Sequence, residues 1–207
     1  LGVVRFDGTP PARRELFGDE PGCGEHATPP LTQFWIVSEG GGVQNAVVWL
    51  EKFPDDLEVP PAPEAPALLD QTGCLYTPHV LLMRTGQELL VRNSDDTDHN
   101  VNIKARRNHP LNPTIQRGGD PLSYTPNVAE KSIPFRCDIH PWMFAFVHVC
   151  EHPWFAVSDR EGRFSIDAVP PGEYVLRIEH EQLGVLRRRV VVRTGWSTGL
   201  ALGFEAR

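Results

Sequence analysis

Hydrophobic and polar residues alternate along this chain in short runs, the spacing of a half-buried β-strand, and no long stretch repeats its apolar positions at helical spacing. At the N-terminal end "GVVRFDG" reads as a strand. Two apolar runs, "FWIVS" and "VQNAVVWLE", follow on either side of Gly40, Gly41 and Gly42, a turn signal. Further on, "HVLLMRTGQELLVRNSD" reads as two strands around Thr85 and Gly86, and "HNVNIKA" as a short alternating strand. "EKSIPFRCDIH" and "FAFVHVC" read as strands flanking a turn. The last zone, "FAVSDREGRFSIDAVPPGEYVLRIEHEQLGVLRRRVVV", has the pattern of a β-meander, with turns at Asp159–Gly162 and at "PPGEY".

Composition supports an all-β reading. Twenty prolines and eighteen glycines among 207 residues point to many turns, and with 40% apolar residues the chain can bury a core. Residues 54–67, "PDDLEVPPAPEAPA", hold five prolines and four acids and read as an extended linker. They separate a first zone, 1–53, from a second, 68–150; residues 151–207 form the third. A net charge of −7 argues against nucleic acid and anionic membrane as partners, and Arg187, Arg188 and Arg189 read as a solvated strand end. No run approaches the ~20 apolar residues of a membrane span, and Leu1–Arg5 reads as a strand rather than a leader.

One stretch concentrates chemistry. "CDIHPWM", residues 137–143, places a thiol, an imidazole and a thioether three residues apart between two strands. A copper ion that carries electrons needs soft and borderline ligands: two imidazoles and a thiolate, with a weak axial thioether. Cys137, His140 and Met143 supply three of these, and His99, at the end of an upstream strand, supplies the second imidazole. A plain coincidence of a buried Cys, a surface His and a core Met is the competing account, and the scarcity of Met (two in the chain) weighs against it.

These residues resemble the cupredoxins, the blue copper proteins. "C-x-x-H-P-aromatic-M" is similar to the short ligand loop of the amicyanin and plastocyanin type, and "GQELLVRNSDDTDHNV" is similar to the strand pair that ends in the upstream ligand; the resemblance covers roughly residues 75–150. It implies one type 1-like copper ion held by His99, Cys137, His140 and Met143, with Asn100 bonding across to the ligand loop. It also implies that His140 is the ligand nearest solvent, and that Pro141, Trp142 and Phe144 form a patch for a redox partner protein; packing is the plainer role for Trp142. The third zone resembles the carboxypeptidase regulatory-like, transthyretin-type β-sandwich, and "GVVRFDGTPP" with "VQNAVVWLE" is similar to that family's opening stretch. The implied fold is all-β: a cupredoxin-like Greek-key barrel or sandwich, residues 68–150, inserted into a transthyretin-like sandwich of residues 1–53 and 151–207.

Four cysteines are present, and if Cys137 binds copper three remain. Cys23 and Cys74 lie in glycine-containing loops, which favours a disulfide joining the insert to its host and an oxidising, periplasmic or extracellular compartment. The rival reading makes Cys23, His26, Cys74 and His79 a second metal site. Strand period puts His148, Cys150 and His152 on one face, another candidate for a second metal ion. Alternate strand positions lie ~6.5–7 Å apart, so one ion would need a further ligand from another strand. His109 and His180 read as ordinary surface residues, and Asp95 and Asp96 as turn formers. No nucleophile–base set and no phosphate-binding glycine loop is present, which disfavours an enzyme. A one-electron carrier is the first expectation; copper storage or delivery and a partner-binding module are the alternatives.

Overall fold

The computed structural model describes residues 1–16, 22–23, 29–53, 57–195 and 199–206. The described residues form seventeen strands and no helix, so the fold is all-β. The chain divides into two compact units: residues 1–14, 32–59 and 154–207, and residues 15–31 and 60–153.

The first unit has two sheets. Gly2–Asp7 is the centre of a three-stranded sheet, antiparallel to Arg163–Phe164 and parallel to Leu200–Glu205, which brings the two ends of the chain together. The other sheet runs Phe155–Val157, Val47–Lys52, Gly172–His180, Gly184–Val192. The alternation read in the sequence sends Val4, Phe6, Leu202 and Phe204 from one sheet, and Val48, Leu50, Leu176 and Ile178 from the other, into one core. "FWIVS" is not a full strand. It makes a single bridge, Val37 to Val43, because the chain turns back at once: Ser38 N donates to Gly42 O around Gly41, at φ +78°. A side chain on Gly42 would place its Cβ 2.1 Å from the Glu161 carbonyl oxygen, so only glycine lets these two turns touch. His180 is not a surface residue: it is 2% exposed at the end of its strand, with its ring 6.3 Å from that of Trp35.

The second unit holds two four-stranded sheets and a short pair. One sheet runs Leu122–Tyr124, Leu89–Asn93, Ala67–Thr72, Leu75–Thr77, and the other Val80–Arg84, Phe144–Cys150, Glu130–Arg136, Asn102–Ile103. His99–Asn100 pairs with Thr114–Ile115. The two strands around Thr85 and Gly86 do not pair with each other. Leu89–Asn93 lies parallel to Ala67–Thr72, and Val80–Arg84 parallel to Phe144–Cys150. Leu69, Tyr76, Met83, Val91, Phe135 and Val147 fill the core between. Ala67, read as the last linker residue, is the first residue of a strand, its N–H donating to Glu88 O.

Residues 15–31 cluster with this second unit although they follow the first strand of the other. The ends of the excursion meet: Glu15 bridges Leu31, and Leu16 N donates to Pro30 O. The Cys23–Cys74 disulfide is formed, and both cysteines are fully buried. The pairing is the one expected, but it lies within the second unit instead of joining an insert to its host, because residues 15–31 pack with that unit.

In the first unit Glu51 accepts from both Arg187 and Arg177. The bond from Arg187, helped by that from Arg177, holds the Glu51 carboxyl at about 2. A carboxylate depressed in the folded state contributes stability above its unfolded value and loses it as pH falls through the folded one. Glu51→Gln should therefore lower the thermal midpoint at pH 7, and the gap from wild type should close between pH 4.5 and about 2. Unfolding curves across that range check this.

Candidate metal centre

The ligand turn is built by hydrogen bonds of its own. Glu130–Arg136 and Phe144–Cys150 are antiparallel neighbours, and residues 137–143 connect them. His140 N donates to Cys137 Sγ at 3.4 Å, Met143 N to His140 O at 2.9 Å, and Cys137 N to Met143 O at 3.3 Å. The loop is thus a compact turn closed on its own sulfur.

A second set of bonds ties this turn to the strand that carries His99. Asn100 Oδ1 accepts from Asp138 N at 2.6 Å and from Ile139 N at 3.3 Å, and the Cys137 thiol reaches it at 3.4 Å. Asn100 Nδ2 donates back to the Asp138 carboxylate, which also accepts from Asn102 and Asn112. The amide from Asn102, then that from Asn112, leads in holding the Asp138 carboxyl below its ordinary range.

The result is three donor atoms at one point. His99 Nδ1 and His140 Nδ1 are 2.9 Å apart, and each lies 3.8 Å from Cys137 Sγ. A triangle with edges of 2.9, 3.8 and 3.8 Å has its centre about 2.1 Å from each corner, close to the ~2.0–2.3 Å at which nitrogen and sulfur bind a first-row metal ion. The same ring nitrogen of each histidine faces this centre. His99, Cys137 and His140 are all buried, at 0, 2 and 4% exposure. Met143, in the same turn, is completely buried.

The surroundings of Cys137 ease loss of its proton. Burial alone pushes the Cys137 thiol up, but the bond from His99 and the backbone donors of the turn outweigh it and bring it below its ordinary value. Burial likewise pulls His99 down, yet the bonds to Asp95 and to the Cys137 sulfur carry it up to about 9.

Asp95 is the residue that sequence reading passed over. Its Oδ2 lies 2.8 Å from His99 Nε2, the ring nitrogen that faces away from the centre, and so orients the imidazole. The same carboxylate accepts from Gly73 N and from Cys74 N at 2.9 Å. Its spacing four residues before His99 is the one signal in the sequence. Tyr76 OH donates toward Asn100 O and Arg136 O, closing the buried side.

Other candidates are placed as follows. Pro141 is exposed and Trp142 and Phe144 are half-buried; Ile139, 51% exposed, extends this surface. His140, at 4%, is the most exposed of the four expected ligands; the Trp142 ring lies 5.3 Å from its own, and Trp142 Nε1 donates to Cys74 O. His148, Cys150 and His152 form no cluster of ligand atoms within 4.8 Å among the described residues. Lys131 and Ser132, in a bulge of the neighbouring strand, occupy their face: Lys131 Nζ is 3.0 Å from Cys150 Sγ, and Ser132 Oγ 3.5 Å from a His148 ring nitrogen. Burial, with the Lys131 charge, pulls His148 down to about 3. His79 points its Nδ1 at Phe144 O, and no cluster contains it with Cys23 and Cys74; His26 lies outside the described residues. His109 is exposed.

No protein-family model matches the chain, and no curated protein matches it. Among solved structures, a Cu-containing nitrite reductase from Thermus scotoductus SA-01 is 20% identical over 42% of this chain and 23% of its own, with a TM-score of 0.39. A Cu(I) amicyanin variant is 22% identical over 41% of this chain and 82% of its own, with a TM-score of 0.37. A second is 21% identical over 51% and 99%, with a TM-score of 0.38.

Asn100 carries much of this arrangement. Its replacement by Ala leaves two backbone N–H groups of the ligand turn without their acceptor. The expected cost is about 1–3 kcal/mol in denaturant unfolding of the metal-free protein.

Proposed function

We propose that this chain is a cupredoxin-like copper protein that carries single electrons, with a type 1-like site made by His99, Cys137, His140 and Met143. The observation that carries the reading is the triangle of two imidazole nitrogens and one sulfur whose centre is about 2.1 Å from each. The donor set fits the ion in kind as well as in size: two imidazoles, one cysteine sulfur whose ionisation is eased and a buried thioether in the same turn are the ligands that copper takes in such centres. Copper bound there supplies a reversible couple between its two oxidation states.

The protein's own residues do the rest. Asn100 and Asp138 brace the turn, so the positions of Cys137 and His140 are set before any ion arrives. Asp95 fixes the ring of His99 from behind. A ligand cage held this way changes little when its charge changes, which keeps the reorganisation of electron transfer small. Burial of all three donors keeps water from the centre.

The exposed surface nearest the ligand turn, Ile139 and Pro141 with half-buried Trp142 and Phe144, suits brief contact with a redox partner protein. The buried disulfide supports residence in an oxidising compartment, periplasmic or extracellular. In the same reading the first unit is a carboxypeptidase regulatory-like, transthyretin-type sandwich that hosts the copper unit.

The copper-loaded, oxidised protein should show an intense visible band from the thiolate bond, and Cys137→Ser should abolish it while copper stays bound more weakly or is lost. Optical and paramagnetic spectra check this; an unchanged spectrum in the variant refutes the ligand set.

A further inference from the structure

The disulfide does not sit where a simple staple need sit. The sulfurs of Cys23 and Cys74 and a ring nitrogen of His140 lie within 4.8 Å of one another, and all three residues are buried. Cys74 also lies within 4.8 Å of ligand atoms of Asp95 and His99. The bridge therefore lies against both histidines of the centre. We propose that the Cys23–Cys74 pair, when reduced, is a second soft-metal site, taking Cu(I) on two thiolates with His140 as third donor.

Three observations support a site that outlasts the S–S bond. Cys74 is held by its backbone: its N–H donates to Asp95, and its carbonyl accepts from Trp142 Nε1. It occupies, with Gly73, the two-residue turn between Ala67–Thr72 and Leu75–Thr77, at φ +60° for Gly73 and +51° for Cys74. That turn favours Gly, Asn or Asp at both positions, so a cysteine is placed there against backbone preference. On the other side, Gly22 packs against Thr97, where a Cβ would come within 2.7 Å, so Cys23 is seated on the loop that leads to His99. Opening the bridge leaves two sulfurs in a dry recess beside an imidazole.

The chemistry balances. Two small-molecule thiols reduce the bridge, giving two cysteine thiols and one external disulfide. Cu(I) then displaces the two thiol protons, and the imidazole donates a lone pair. Two thiolates with a borderline nitrogen suit Cu(I) over harder ions. His140 then belongs to two adjacent donor sets, which gives the reduced protein a route for passing Cu(I) between them. The inference rests on the proposed centre only for that route; the dithiol site itself does not need Cys137.

The test uses Cys137→Ser, in which the first donor set is broken. Under anaerobic conditions the disulfide and thiol forms are titrated with Cu(I) against a chromophoric Cu(I) chelator. The thiol form should withdraw one equivalent and hold it on the order of 100-fold more tightly than the disulfide form, and adding Cys23→Ser should lower retention by the reduced protein to that of the disulfide form. Equal retention by the two forms overturns the proposal, as does loss of the β-sheet circular dichroism on reduction. In the wild-type protein, Cu(I) should shield Cys23 and Cys74 of the reduced form from alkylation; labelling of both in its presence overturns it as well. The visible band of the oxidised wild type tests the first centre separately, so either reading can fail alone.

Discussion

The carboxamide of Asn100 is the constraint on which the site depends. Its oxygen takes two backbone N–H groups of the turn after Cys137, and its amide nitrogen returns to the Asp138 side chain of that turn. Asn100 sits one residue after His99, so this exchange joins the two separated pieces of chain that carry the donors. It acts beside the pairing of Arg136 with Asn102 and the bonds of Asn102 and Asn112 to Asp138, which together hold the sulfur of residue 137 at 3.8 Å from the ring of residue 99. The bonds are part-buried, reaching from a buried Asn100 to the exposed residues Asp138 and Ile139.

Asp95 plays the matching part on the opposite side. One carboxylate receives the His99 ring and the backbone of a tight hairpin that carries half of the disulfide. Ligand orientation, hairpin and bridge are thereby one hydrogen-bonded body. The Cys74 turn and the outer nitrogen of His99 share this single acceptor.

The β architecture explains how distant residues come so near. Parallel pairing of Val80–Arg84 with Phe144–Cys150, and of Ala67–Thr72 with Leu89–Asn93, interleaves segments remote in sequence. A barrel or sandwich assembled this way brings loops from different strand ends to one place, and rigid strands on both sides limit their motion. The bulge in Glu130–Arg136 has a different effect at the far end of the same strand pair. It turns Lys131 toward Cys150 and fills a face that strand alternation alone would have left to His148 and Cys150.

Much of this protein could be read from its residues. Period-two alternation and abundant turn formers specify an all-β chain because side chains on a strand point to opposite faces, whatever their later partners. The spacing of Cys137, His140 and Met143 marked a tight turn that gathers sulfur and nitrogen, because local chemistry and local geometry are written together there. Strand pairing was not written in the same way: "HVLLM" and "ELLVRN" are neighbours in the chain but belong to different sheets. Nor was the role of Asp95, which a local reading takes for a turn former. His180 became a core residue, and the bridge of Cys23 proved internal to one unit, for the same reason. Which surfaces meet is decided by long-range burial and by satisfying buried polar groups, and these depend on the whole arrangement of sheets rather than on any stretch of sequence.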